Sequence, residues 1–199
     1  MTRPSPGNGT VFEPATAEDI RIVSAQLGRP ARGVAGIAAR CACGKPTVVA
    51  TQPRLDDGTP FPTLYYLTHP AATAAMSVLE AEGVMTEFNE RLKADAALRE
   101  AYAAAHEAYL ADRATLGEVA EIDGISAGGM PDRVKCLHAL AGHALAAGVG
   151  VNPIGDLALE RSRWRTSVCE CSDYDAAGDE TAGAVTVDDT APSTPEGER

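Results

Sequence analysis

Aromatic and basic residues are both scarce in this sequence. Phe, Tyr and Trp together make up 5% of the 199 residues, and there is a single Trp. Few rings are therefore available as stacking platforms for bases. The 17 Lys and Arg are outnumbered by 28 Asp and Glu, and no dense basic run occurs. Both shortages argue against nucleic acid as a partner.

Long apolar segments are also lacking. No run of about 18 apolar residues occurs, so the sequence predicts no membrane span. The first ten residues, MTRPSPGNGT, have no apolar signal core. We therefore expect a cytoplasmic protein. Its five cysteines are an odd number, and in that compartment thiols or metal ligands are expected rather than disulfides.

Charge and composition divide the chain into three parts. The segment 1–14 is rich in Pro, Gly and other small residues, and 172–199 combines low hydrophobicity with eight acidic residues and one Arg. Such segments do not bury enough apolar surface to fold, so disorder is predicted for both. The remaining residues, 15–171, are long enough for one domain with a sizeable core.

Within that domain the pattern changes from short strands to long helices. A helix capped by Thr16 is expected up to Leu27, followed by strands at 33–42, 47–51 and 63–68. Helices are expected at 70–83 and at 84–117, the second broken near Ala94-Asp95. This order predicts an α+β fold with a small antiparallel sheet of about three strands packed against several helices.

The stretch 122–155 contains the densest group of reactive side chains. Pro131 and Gly148 suggest the two ends of one helix, which would carry Arg133, Lys135, Cys136, His138 and His143. Cys136 and His143 would then share a face with Arg133, about 10.5 Å apart along the axis. One helix cannot supply a whole metal site at that spacing, so further ligands would have to come from Cys41, Cys43, His69, Cys169 or Cys171.

Other interpretations of this stretch stay open. Gly128 and Gly129 before the helix, with Arg133 and Lys135, suggest an anion site of a phosphate-binding hydrolase. Cys136 is a candidate nucleophile with His143 or His69 as its base. The cysteines and histidines are also compatible with a purely structural core in a protein-interaction module.

Three ordered motifs resemble a known bacterial family. They are RCACGKPTVV from residue 40, DGTPFPTLYYLTHP from residue 57 and GGMPDRVKCLHALAGHALAAGVGVNPIG from residue 128. Together they are similar to the domain of unknown function 501 family, which has no established activity and is typical of high-GC Gram-positive bacteria.

The resemblance selects residues for the candidate site. Five residues fall on family motif positions, namely Cys41, His69, Cys136, His138 and His143, whereas Cys43, Cys169 and Cys171 do not clearly do so. If the sheet meets the predicted helix, Cys41, His69, Cys136 and either of the two helix histidines would converge on a metal ion, and we expect Zn²⁺. Genes of the family lie near genes for a septum-formation initiator and an exopolyphosphatase-like protein, which implies a partner in cell division or envelope growth.

Overall fold

The computed structural model describes residues 12–171. The predicted disordered segments, apart from Phe12, Glu13 and Pro14, lie outside the described residues. The sequence predicts disorder for these three as well, yet Phe12 is buried and its ring meets Tyr65 edge-on at 5.8 Å. Glu13 exchanges two backbone hydrogen bonds with Ile37, at 3.1 and 2.7 Å.

A three-stranded antiparallel sheet forms one layer of the domain. Its strands are β1 (Val34–Arg40), β2 (Pro46–Thr51) and β3 (Tyr65–Leu67), in the order β1-β2-β3. Every residue of β2 is buried, as expected of a central strand covered on both faces. The sheet and the helices around it confirm the predicted α+β fold.

Within residues 12–171, six α-helices cover the sheet or pack on one another. They are α1 (Ala17–Leu27), α2 (Pro70–Ala81), α3 (Val84–Ala94), α4 (Ala96–Ala114), α5 (Leu137–Ala147) and α6 (Pro153–Ser162), with a short 3₁₀ turn at Ala120–Ile122. Val23 of α1 packs with Ile37 and Val49 on one face of the sheet, and the larger core lies on the other face. None of the helices in residues 12–171 has the length and apolar character needed to cross a membrane.

The helix predicted from Pro131 begins six residues later, at Leu137. Residues 128–136 instead form a loop that hydrogen-bonds to itself. The carbonyl of Gly128 accepts from the amides of Lys135 (2.7 Å) and Cys136 (3.3 Å), and Cys136 is extended with φ −151°. The predicted stripe of Arg133, Cys136 and His143 on one helix face is therefore wrong.

An ion pair joins α1 to the end of β1. The guanidinium of Arg40 contacts both carboxylate oxygens of Asp19, at 2.7 and 3.1 Å, and also both of Glu13. The Asp19 side chain is 7% exposed. The hydrogen bonds from Arg40, and after them those from Thr16, hold the pKa of Asp19 well below its usual value although burial opposes them. The end of β1 next to Cys41 is thus fixed to the first helix.

We expect Asp19→Asn to lower the free energy of unfolding at neutral pH by about 1–3 kcal/mol, because a charged hydrogen-bond partner of Arg40 is lost. The depressed pKa means that the folded state binds fewer protons here than the unfolded chain. Its contribution is therefore present above about pH 4 and is lost as the pH falls. Urea unfolding at neutral and acidic pH measures this. The exposed pair Glu18–Arg21 provides the control, and Glu18→Gln should change stability little.

Candidate metal centre

The turn between β1 and β2 carries the first pair of cysteines. The Cys41 amide donates to the carbonyl of Lys45 (2.9 Å), and the Gly44 amide donates to the carbonyl of Cys41 (2.8 Å). Gly44 adopts φ +86°, a left-handed conformation that glycine takes without steric cost. The turn is tight, and Cys41 is buried while Cys43 is exposed.

The segment after α6 brings a second pair to the same turn. Arg163 caps the C-terminal end of α6 with φ +61°, and the following Trp164 is 5% exposed. Further along, the carbonyl of Thr166 accepts a hydrogen bond from the amide of Ala42 (2.9 Å). This bond ties the C-terminal segment to the first cysteine turn, and Cys169 and Cys171 follow it directly in the sequence.

Four sulfur atoms converge as a result. The Sγ atoms of Cys41, Cys43, Cys169 and Cys171 all lie within 4.8 Å of one another. A tetrahedral zinc ion with Zn–S bonds of about 2.3 Å separates its sulfurs by about 3.8 Å. The four-cysteine cluster, as we call this group, therefore needs a contraction of at most about 1 Å per sulfur pair to hold one ion.

His69 donates a hydrogen bond to this cluster. It caps α2, and its Nδ1 accepts from the backbone amide of Ala72 at 3.4 Å. In a neutral ring the proton then lies on Nε2, which is 3.1 Å from the sulfur of Cys171. Burial lowers the pKa of His69 below its ordinary value, although Glu170 opposes this, so the ring is neutral. The Cys171 sulfur is thus an acceptor, as a metal-bound thiolate would be.

Burial raises the pKa of the Cys171 thiol, whereas it lowers that of His69. The neighbouring sulfurs of Cys43 and Cys41 raise the pKa of Cys171 further. Several thiolates packed together repel one another, so a compensating cation favours their ionised form.

A second group of ligand-type side chains lies at the start of α5. The Nδ1 of His138 is 3.1 Å from Oε1 of Glu80 and 3.9 Å from the sulfur of Cys136. The three candidate ligand atoms lie within 4.8 Å of one another, and all three residues are half-buried. We call Glu80, Cys136 and His138 the α5 group. Glu80 comes from α2, Cys136 from the loop before α5 and His138 from the first turn of α5.

The charges in the α5 group support one another. The contact with Cys136 raises the pKa of His138 to about 9, with Glu80 adding to the effect and burial opposing it. For Cys136, burial raises the pKa, but the contacts with His138 and with the Ala139 amide outweigh it and leave a net lowering. The carboxylate and the thiolate thus favour positive charge at Nδ1 of His138.

His143 lies in the hydrophobic core and belongs to neither group. Its ring stacks on Tyr65 with centroids 5.4 Å apart and an angle of 9°, and it meets Tyr109 edge-on at 5.2 Å. Its Nδ1 accepts a hydrogen bond from the side-chain NH₂ of Asn152 at 3.1 Å. The side-chain oxygen of Asn152 in turn accepts from the backbone amide of Gly155 and so caps α6. This arrangement joins α5 to the start of α6.

The five residues predicted as metal ligands are therefore distributed over three places. Cys41 and His69 lie at the four-cysteine cluster, Cys136 and His138 lie in the α5 group, and His143 is in the core. The residues predicted for the anion site do not stand at a helix start, because α5 begins only after Lys135. The amide of Leu137 at the true start donates to Glu80 (2.6 Å), so a carboxylate of the protein already occupies that position.

Glu80 is not among the predicted ligands, and the family resemblance favours other residues over Cys43, Cys169 and Cys171. The signals were present in the sequence. Thr73, Ser77 and Glu80 follow one another at helical spacing, and all contact His138. Cysteine recurs in two Cys-x-Cys pairs, but nothing local shows that the pairs meet.

The family comparison covers most of this architecture. A family model described as Protein of unknown function (DUF501) matches residues 37–160. The match includes the first cysteine pair and the α5 group, and it ends before Cys169. No curated protein and no solved structure matches the chain. Because the matched region exceeds half of the 199 residues, the chain belongs to the DUF501 family of proteins of unknown function, as its motifs predict.

Proposed function

We propose that this protein binds one Zn²⁺ through the four-cysteine cluster and that this ion is structural. The observation that carries the proposal is the convergence of four sulfurs within 4.8 Å from two pairs separated by more than 120 residues in sequence. Four thiolates complete the tetrahedral coordination of zinc, which is the arrangement of closed structural sites and leaves no position for a substrate.

The ligand type and the spread of the sulfurs favour one soft ion. Thiolate sites select Zn²⁺, Cu⁺ or iron–sulfur clusters. In an iron–sulfur cluster several irons and sulfides lie between the cysteine sulfurs and hold them further apart than one ion does. The 4.8 Å limit on the sulfur distances fits a single ion, and zinc takes four thiolates without redox change.

The ion would fasten the C-terminal segment to the sheet. Cys41 and Cys43 belong to the β1–β2 turn, whereas Cys169 and Cys171 follow α6. In residues 163–171 the ties to that turn and to the start of α2 include the Ala42–Thr166 hydrogen bond, the His69–Cys171 hydrogen bond and the packing of Trp164 on His69, with ring centroids 5.3 Å apart. Zinc would therefore fix the point from which the acidic sequence 172–199 continues.

Metal analysis of the protein purified without added metal tests the proposal. We expect zinc in at least equimolar amount, and we expect Cys171→Ser and Cys41→Ser to remove one equivalent. His143→Phe provides a matched control, since His143 was predicted as a ligand but lies in the core. It should retain all of the metal and lower the free energy of unfolding by only about 1–2 kcal/mol through the lost Asn152 hydrogen bond.

Thiol counting distinguishes the alternatives. The Cys136→Ser variant, which keeps the four cysteines of the cluster, should release four protected thiols when a chelator is added to its zinc-bound form. If the purified protein contains no zinc, and its four cysteines react freely or are joined in disulfides, the proposal is wrong.

A further inference from the structure

A cavity of about 630 Å³ adjoins the α5 group. It lies between β3, α2 and the start of α5, and its walls include Tyr66, Thr68, Thr73, Ser77, Cys136 and His138. A cavity of this size accommodates a small molecule. Its most reactive lining groups are a thiol and an imidazole, and both belong to the α5 group.

The spacing within the α5 group fits one metal ion. A tetrahedral zinc ion places a sulfur and a nitrogen ligand about 3.6 Å apart, and a nitrogen and an oxygen ligand about 3.3 Å apart. The corresponding distances here are 3.9 Å from Cys136 to His138 and 3.1 Å from His138 to Glu80. Both agree to within a few tenths of an ångström, so an ion could enter with little rearrangement.

The ligand atoms are held in place by hydrogen bonds from behind, as metal ligands usually are. The Nε2 of His138 lies 3.1 Å from the carbonyl of Thr73 and 3.1 Å from the hydroxyl of Ser77. Glu80 accepts from the backbone amide of Leu137. The imidazole and the carboxylate are therefore oriented by α2 and by the first turn of α5.

The Thr73 contact also defines which nitrogen carries the proton. A carbonyl oxygen only accepts, so Nε2 donates to it and the Nδ1 of a neutral ring is left with a lone pair. That lone pair points at a carboxylate oxygen 3.1 Å away. Two acceptors at this distance need a cation between them or a second proton on the ring.

From this geometry we propose that the α5 group binds a divalent ion of the zinc class through Glu80, Cys136 and His138, with the fourth position open to the cavity. Three protein ligands and one exchangeable position are the pattern of zinc sites that act on a bound molecule. The open position would take water or a small anion. This site is independent of the four-cysteine cluster, which shares none of its ligands.

Titration of the metal-free, reduced protein with Co²⁺ tests this second site. We expect the wild type to bind two equivalents, one with the absorption of four thiolates and one with that of a single thiolate. Azide should shift the bands of the second equivalent and leave those of the first unchanged, because only the second has an open position.

Substitutions assign the second equivalent. Glu80→Gln and Cys136→Ser should each weaken it more than about 100-fold, since even the loss of an orienting partner costs 10–100-fold. Glu80→Gln retains an oxygen for the Leu137 amide, and circular dichroism checks that each variant is folded. Glu82 is an exposed acid at the C-terminal cap of α2, two residues after Glu80, so Glu82→Gln is the matched control and should change nothing.

Three results would contradict the second site: a wild type that binds only the four-thiolate equivalent, substitutions that leave the second equivalent intact, or bands that do not respond to azide. None of them bears on the proposal that the four-cysteine cluster binds zinc. A protein that binds only one equivalent while Cys136 reacts rapidly with iodoacetamide would instead show a thiolate–imidazolium pair in the place of the ion.

Discussion

Removal of zinc from the four-cysteine cluster is expected to lower the free energy of unfolding by about 4 kcal/mol, relative to protein in a free zinc concentration about 1,000 times the dissociation constant. The folded state holds four sulfurs in place for the ion, whereas the unfolded chain does not. Binding free energy therefore becomes folding free energy. Urea unfolding with and without chelator measures the difference, and added Zn²⁺ should restore it.

Trp164 gives this experiment a local signal. It is the only tryptophan of the chain, it is 5% exposed, and it packs on His69 beside the cluster. Loss of zinc should release the C-terminal segment, so the Trp164 emission should move to longer wavelength before the rest of the domain unfolds. The Cys136→Ser variant, which leaves the four-cysteine cluster intact, should show the same response. Unchanged emission and an unchanged unfolding midpoint after chelation would contradict a structural role.

The second large effect is expected at the contact between α5 and α6. Replacement of glycine by alanine inside a helix normally stabilises it by up to about 1 kcal/mol. At Gly155 a Cβ would lie 2.2 Å from the carbonyl oxygen of Leu140 and 2.8 Å from the Cβ of Ala144. Neither neighbour is a flexible side-chain end, so the helices would have to separate. We expect Gly155→Ala to destabilise the protein by about 2–4 kcal/mol.

Gly142 is the matched control for this substitution. It also lies in a helix, but its nearest neighbour to an added Cβ is the carbonyl oxygen of Tyr65 at 3.2 Å. Gly142→Ala should therefore change the free energy of unfolding by no more than about 1 kcal/mol. Equal or greater stability of Gly155→Ala in thermal or urea unfolding would show that α5 and α6 do not pack as closely as described.

The elements that could be predicted from the sequence are those with local causes. The Thr16 side chain caps α1 by accepting a hydrogen bond from the backbone amide of Asp19. Asp95 lies between α3 and α4 and caps α4, and Pro70 is the first residue of α2. Each of these signals acts within a few residues along the chain, so the pattern alone is sufficient to place it.

The start of α5 could not be placed in this way, because its cause is distant. Pro131 suggests a helix start locally, but the amide of Leu137 is capped by Glu80 from α2, 57 positions earlier. Residues 128–136 are meanwhile closed by their own backbone hydrogen bonds. Side chains that would have shared a helical face are thereby distributed over a loop and a helix.

The candidate sites depended on distant contacts even more strongly. That Cys41 belongs with Cys169 and Cys171 follows only from the return of the chain after α6 to the β1–β2 turn. His143 offers the same ring as His69 or His138, and only its stacking on Tyr65 and its bond to Asn152 identify it as a core residue. Residue types and spacing identified candidate ligands, while tertiary contacts decided which of them meet.

Zinc K-edge X-ray absorption on the Cys136→Ser variant tests the central claim most directly, because this variant lacks the thiol of the α5 group and keeps all four cysteines of the cluster. We expect a single shell of four sulfurs at about 2.3 Å. A shell of nitrogen or oxygen ligands at about 2.0–2.1 Å, or a variant without stoichiometric zinc, would contradict the claim that Cys41, Cys43, Cys169 and Cys171 form the structural metal site.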